Sequence, residues 1–228
     1  MTAAGPAGGT GSGSGDGPGP VQGRVLAVCA AVDDVDLGTL RSAIDKRPAA
    51  GRVAVDAMGL ATDHVCDTRH HGGIDQAVYA YSETEARRWA GDLDRELPFG
   101  WFGENLRVDG IDVTDALVGE QWAVGDDGLL LETTIPRVPC RTFALWSGEP
   151  DWIKRFLNRG DVGAYLRVLA SGTVGAGDGV RVVHRPGHGV RVRHLLTGTS
   201  ASALEALLAD DDLAPKVRRE AGKRLARA

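Results

Sequence analysis

Cys140 ends the stretch Ile135-Pro136-Arg137-Val138-Pro139-Cys140-Arg141, a thiol between two arginines on a segment stiffened by two prolines. Each proline fixes its own φ and lacks an amide donor, so neither continues a helix or a central strand. Each also drives the residue before it, Ile135 or Val138, into an extended conformation. A side chain presented this way is held in one place. Nearby positive charge lowers a cysteine pKa toward the thiolate, and a thiolate is both a nucleophile and a ligand for soft metals. Arg137 and Arg141 therefore make Cys140 the leading candidate for chemistry. The plain alternative is a packed cysteine at a strand end, with both arginines in solvent.

The second suggestive stretch is His64-Val-Cys66-Asp-Thr-Arg-His70-His71-Gly72-Gly73. Cys66, His70 and His71 invite a zinc reading, but zinc sites usually add a second ligand pair at regular spacing. The other histidines, His184, His188 and His194, flank a Pro-Gly turn far along the chain. Gly72 and Gly73 suit a close backbone approach or a positive φ, as at a pocket wall. Phe99-Gly-Trp-Phe-Gly103-Glu104-Asn105 joins aromatics, glycines, an acid and an amide. It either sets Glu104 and Asn105 in a pocket or packs on the core, with Asn105 bracing a turn. Cys29 lies inside an apolar run and reads as a core residue.

The elements that would position these groups are mostly strands. Alternating or continuous apolar runs predict strands over Val21–Val32, Arg52–Met58, Ala77–Ser82, a segment reaching Val124, Gly128–Ile135 and Ala164–Val168. Gly125-Asp-Asp-Gly128 reads as a hairpin turn. Val180–Val183 and Val190–Val192 read as a hairpin around Arg185–Gly189, its outward Arg181, Arg191 and Arg193 forming a solvated face rather than an RNA-binding one. Ser82 with Glu85 predicts a capping box opening a helix to about Leu93. Asp151–Leu157 is a short amphipathic helix. The chain ends in two helices, Ser200–Ala209 and Leu213–Ala228, the second capped by Asp210–Asp212 with Pro215 in its first turn.

The 228 residues allow a sizeable core, and 43% hydrophobic with 25% charged content is ordinary for a globular chain. A net charge of −5 gives no reason to expect a nucleic-acid polymer as partner. Three cysteines without paired spacing argue against a disulfide framework and for a reducing, cytoplasmic setting. The longest apolar run is too short to span a membrane, and no leader pattern opens the chain. Residues 1–20, rich in Gly, Pro, Ser and Ala, have little to bury and read as a flexible tail. The expected division is a tail over 1–20, one β-rich domain over 21–197 and a helical appendage over 198–228.

Three stretches occur in one order: His71-Gly-Gly-Ile-Asp75-Gln-Ala-Val-Tyr79, Phe102-Gly-Glu-Asn105-Leu106 and Pro136-Arg-Val-Pro-Cys140. Together they resemble the MOSC domain, the C-terminal domain of molybdenum cofactor sulfurases, and within it the stand-alone YiiM-type branch. The likeness runs from about Val21 to Arg193, and the last helices resemble the small appendage of that branch. The resemblance implies a mainly β fold, β-rich α+β, with a barrel-like core and peripheral helices. It implies a molybdenum cofactor of molybdopterin type, with Cys140 as molybdenum ligand and catalytic residue. Arg137 and Arg141 would complement the cofactor's phosphate, and His71, Gly72, Gly73, Asp75, Tyr81 and Asn105 become pocket candidates by motif position. It implies a reductase of N-hydroxylated small molecules, such as hydroxylaminopurine-type bases, fed by a separate electron-transfer reductase, and a homodimer. The alternative is a persulfide carrier or cofactor-binding module without turnover. One departure stands out: YiiM-type sequences often carry a lysine two residues after the cysteine, where this chain has Thr142.

Overall fold

The structure, a computed structural model, describes residues 22–38, 40–66 and 72–227. The expected tail over 1–20 and the histidines His70 and His71 lie outside the described residues. The first six strands are β1 (Gly23–Ala31), β2 (Val35–Asp36), β3 (Arg41–Ser42), β4 (Lys46–Pro48), β5 (Val53–Asp56) and β6 (Gly59–Leu60). A short 3-10 turn at Ile74–Gln76 leads into β7 (Val78–Ser82), which runs directly into helix α1 (Glu83–Leu93). Then come β8 (Leu106–Asp109), β9 (Gln121–Val124), β10 (Leu129–Thr133), α2 (Arg141–Ser147) and α3 (Trp152–Arg159). The chain finishes with β11 (Ala164–Ala170), β12 (Gly172–Val174), β13 (Gly179–His184), α4 (His194–Thr197), α5 (Ala201–Leu208) and α6 (Pro215–Leu225).

Seven strands close on themselves in the order β1-β13-β9-β10-β11-β7-β8 and back to β1. This is the β-rich barrel expected from the resemblance. All neighbours are antiparallel except β7 and β8. That exception follows from connectivity, because α1 crosses over between them and returns the chain in the same direction. β1 is long enough to serve several partners. Its start pairs with β13, and its end carries β4 outside the ring at Cys29↔Pro48. Gly125–Gly128 makes the β9–β10 hairpin as its composition predicts, with Leu129 opposite Val124.

Closing a barrel buries one face of every strand. Val25, Val28, Leu106, Trp122, Leu131, Leu166 and Val180 meet in a single apolar cluster. Leu204, Leu207, Val217 and Ala221 of α5 and α6 belong to the same cluster, so the terminal helices pack on the barrel's own core. A second cluster is aromatic: Trp89 of α1, Trp101, Phe102, Phe143 of α2, and Trp152 and Phe156 of α3. Trp152 and Phe143 meet edge to face at 5.3 Å between centroids, a favoured aromatic geometry. No helix among the described residues is long and apolar enough to cross a membrane.

Three local expectations need correction. Ser82 makes no side-chain cap to α1. It is the buried last residue of β7, and Glu85 turns inward to accept from Thr114 Oγ1 at 2.9 Å instead of reaching back to the cap. Val190–Val192 is not a strand paired to β13. Its amides and carbonyls bond Ala116 and Val118, with one bridge at Leu117↔Arg191, while β13 is taken by β1 and β9. Asp210–Asp212 does not cap α6 through a side chain. The Asp75 carboxylate does so, accepting from Lys216 N at 2.7 Å.

Candidate active-site cavity

A cavity of about 460 Å³ opens among the β3–β4 segment, the segment after β6, the turn before β7 and the loop carrying Cys140. Its volume lies within the range of small-molecule sites. Cys140 and Arg137 line it together with Lys46, Asp63, Tyr79, Asn105 and Tyr165. Gly72, Gly73 and Gly103 form parts of its wall.

Cys140 arrives there by the route its sequence suggests. β10 ends at Thr133, the proline-braced segment continues extended, and Cys140 itself is extended, with φ −121° and ψ 173°. The next residue starts α2, whose Phe143 is completely buried in the aromatic cluster. Rigid packing therefore holds the chain on both sides of a half-buried thiol.

The two arginines flanking Cys140 part company. Arg141 is exposed and does not line the cavity. Arg137 is buried, its Nη1 donates to the Phe102 carbonyl, and its guanidinium lies 3.9 Å from the Phe143 ring centroid. Burial opposes its charge, yet neighbouring Tyr79, Tyr165 and Cys140 hold its pKa above the ordinary value. Cation–π contact adds to that support. The Phe102 carbonyl reaches Arg137 because Gly103 turns the chain with φ +71°; a Cβ there would sit 3.2 Å from Ile44 and 3.5 Å from Arg137 Nη1.

A second cation enters from β4. Lys46 Nζ pairs with Asp63 Oδ2, both side chains only 11% exposed. Burial depresses the Lys46 pKa, Asp63 partly restores it, and Arg137 depresses it further. Asp63 is fixed from two other sides, accepting from Ala31 N at 2.9 Å and from Asn105 Nδ2 at 2.7 Å. Asn105 also accepts from Tyr79 N at 3.0 Å and donates to the Cys29 carbonyl at 3.2 Å. Cys29 itself is buried in β1, and that burial pushes its thiol up to about 12. Tyr79 and Tyr165 face each other at 5.1 Å between centroids, both phenols raised by burial.

Of the residues expected from sequence, Cys140, Arg137, Gly72, Gly73 and Asn105 come together at the cavity. Asp75 does not line it, because its carboxylate caps α6. Tyr81 does not either. It is fully buried, stacked on Phe102 at 4.0 Å, with its hydroxyl donating to the Asp161 carbonyl at 2.9 Å. Glu104 is also internal: it accepts from Gly100 N and Phe102 N and pairs with Arg107. Lys46, Asp63, Tyr79 and Tyr165 were not singled out in the sequence. Tyr79 carried a signal, as the last residue of the His71–Tyr79 motif. Lys46 and Asp63 carried none, since only the pairing of β4 with β1 and the bond from Ala31 N to Asp63 bring them in. Among the described residues, His184, His188 and His194 join no metal-ligand cluster; His188 bonds the Val118 carbonyl at 2.9 Å.

Comparison with known proteins agrees with this architecture. The MOSC domain family model matches residues 67–181. The uncharacterized protein YflK of Bacillus subtilis (strain 168) is 30% identical over 154 residues, covering 68% of this chain and 69% of YflK. A protein named "Reductase" from Gibberella moniliformis (strain M3125 / FGSC 7600) is 31% identical over 152 residues, 65% of this chain but only 27% of that much longer protein. The crystal structure of YiiM from Geobacillus stearothermophilus superposes with a TM-score of 0.72 at 25% identity, covering 89% of this chain and 99% of that one. A closed seven-stranded barrel, a cysteine presented into its cavity and these likenesses converge, and the chain belongs to the MOSC domain family as a YiiM-like member.

Proposed function

We propose that this protein binds a molybdenum–pterin cofactor in the cavity and reduces N-hydroxylated small molecules there, with Cys140 as the molybdenum ligand. The observation that carries the reading is one soft thiol and two cations, the buried Arg137 and Lys46 with its side chain 11% exposed, on the walls of one cavity. A thiolate suits a thiophilic metal. Arg137 suits a phosphate by its fork of donors, and the rings of Tyr79 and Tyr165 offer flat surfaces to a planar pterin. Thr142 also lines the cavity, so the lysine missing at that position has a counterpart in Lys46, supplied from a different strand. When bound, such a cofactor would supply two-electron transfer at the metal.

The chain's own residues then have separate tasks. Arg137 and Lys46 hold anionic groups, and Asp63 fixes Lys46 Nζ in place. Cleaving N–O to give an amine and water takes two electrons, which the cofactor would supply, and two protons: Lys46 Nζ, with its depressed pKa, is suited to deliver one to the departing hydroxyl oxygen, which leaves as water, and solvent supplies the other to the nitrogen. The chain carries no recognised flavin or iron–sulfur motif, so electrons would come from a separate reductase. A reducing compartment such as the cytoplasm would keep Cys140 as a thiol, and a homodimer is the proposed assembly. The name of the Gibberella relative supports reductase chemistry for this part of the fold.

The test is metal analysis of protein made in a host that synthesises the cofactor, alongside Cys140→Ser. Wild type should carry molybdenum and, with an artificial electron donor, convert an N-hydroxylated base to the amine. The near-isosteric mutant should fold and lose both. A persulfide mass increment on Cys140 without turnover would replace the enzyme reading by a sulfur carrier. Full metal content and activity in Cys140→Ser would end both.

A further inference from the structure

We propose that Asp34, His64 and Cys66 form a binding site for one zinc-like divalent ion at the rim of the cavity. His64 Nε2 lies 2.7 Å from Asp34 Oδ1, and Cys66 Sγ lies 3.0 Å from the same oxygen. The nitrogen, sulfur and carboxylate oxygen all fall within 4.8 Å of one another. In a tetrahedral zinc site with bonds of about 2.0–2.3 Å, neighbouring ligand atoms stand roughly 3.3–3.8 Å apart. The two separations from Asp34 Oδ1 need only lengthen by fractions of an ångström, and the remaining nitrogen–sulfur pair already lies within 4.8 Å.

The placement follows from two elements. Asp34 lies on the turn between β1 and β2, fixed because β1 is a barrel strand. His64 and Cys66 are two apart on the segment after β6, and alternate residues of extended chain share a side. The ligand set selects the class of ion. Imidazole and thiolate favour zinc and its neighbours over magnesium or calcium, which take oxygen. In the structure the Cys66 thiol donates its proton in a hydrogen bond to the Asp34 carboxylate. Metal binding would replace that proton by a sulfur–metal bond and release the proton to solvent. Arg41, 3.9 Å from Asp34 Oδ2 and 71% exposed, is the one cation paired to the cluster among the described residues, and it is free to swing aside.

Among the described residues the site has three protein ligands, short of the four of a closed structural zinc site. His64 and Cys66 also line the cavity that holds Cys140. The ion would therefore sit where a ligand entering the cavity passes. This site is separate from the proposed molybdenum chemistry, and its failure would leave that reading untouched.

Cobalt(II) alone, titrated into the reduced full-length protein, tests it. One cobalt per chain should bind, with a thiolate-to-cobalt charge-transfer band and the visible bands of tetrahedral coordination, and zinc should abolish both. Cys66→Ser should remove the charge-transfer band, and His64→Ala should weaken binding by more than about tenfold. Cys140→Ser should leave the cobalt stoichiometry and the charge-transfer band as they are in wild type. Melting curves on each variant would show folding, and the two rim variants sit on exposed segments, so one can stand in if the other misfolds. The proposal is overturned if no charge-transfer band forms, if the band survives Cys66→Ser in a folded protein, or if Cys140→Ser abolishes it.

Discussion

Asn105 serves three neighbours with one side chain, bonding Tyr79 N, the Cys29 carbonyl and Asp63. Tyr79 and Asp63 line the cavity, so the amide sets the position of Tyr79 and of the carboxylate that holds Lys46. Asn105→Ala would leave a buried amide N–H and carbonyl unpaired. A cost of about 2–3 kcal/mol is expected, read as a lower urea midpoint at unchanged slope. Asn105→Asp should do worse, since it sets a second carboxylate within 2.7 Å of where Asp63 Oδ2 now accepts a bond. Tyr81→Phe offers the contrast. It removes only the bond to the Asp161 carbonyl, outside the cavity, and should cost about 1 kcal/mol with bound cofactor unchanged. Tyr81, not Tyr79, was the pocket candidate, and by motif position alone. The two are two residues apart on a strand buried throughout, so they share a face, and alternation cannot say which end of that face meets the cavity.

At the scale of elements, α2 and α3 form an aromatic platform under the Cys140 loop. Phe143 lies beneath Arg137 at 3.9 Å and touches Trp101, Trp152 and Phe156. Phe143→Ala should cost about 3–5 kcal/mol by cavity formation, and it should weaken cofactor retention because Arg137 loses its support. A variant that lost stability but kept full affinity would show that the platform does not transmit to the site. Helix α6 depends on a residue 141 positions away, through the Asp75–Lys216 bond. Asp75→Ala should cost about 1 kcal/mol and speed hydrogen exchange at the start of α6, whereas Asp75→Asn should be nearly silent. Much of the barrel was legible in the sequence, because β1, β7, β10 and β11 are largely apolar runs whose burial dictates their composition. Short pieces were not. Lys46–Pro48 and Gly59–Leu60 carry no periodicity and become strands only because β1 and β5 offer edges. Val190–Val192 alternates as a strand would, but alternation names no partner, and the true one is Ala116–Val118. The cysteine loop was legible because proline geometry is local, while Tyr165 reaches the cavity through closure of the ring, Lys46 through the pairing of β4 on β1, and Asp63 through its bond to Ala31 N.

For the whole molecule, one buried electrostatic commitment lies away from the cavity, where α1 meets the barrel. Glu85 is 6% exposed, accepts from Thr114 Oγ1, and faces Asp161, Arg88 and Arg193. Thr114 in turn accepts from Val162 N and Gly163 N, so one hydroxyl ties α1 to the chain entering β11. Burial pushes the Glu85 carboxyl up to about 8 from an ordinary 4.5, the Thr114 hydrogen bond opposing and Asp161 reinforcing it. The folded state thus keeps a proton that the unfolded chain has lost between those values. Stability must therefore fall as pH rises across that window, at up to roughly 1.4 kcal/mol per pH unit. His188 and His194 work the other way: burial depresses both, so each adds stability as pH rises through its own titration. The Glu85 contribution is isolated by difference. Urea unfolding of wild type and Glu85→Gln from about pH 5 to about pH 8 should show the gap moving in favour of the mutant as pH increases, because the amide never has to be deprotonated. Parallel curves across the range would mean that Glu85 titrates as an ordinary surface carboxylate, and the buried Glu85–Thr114 link would have to be abandoned.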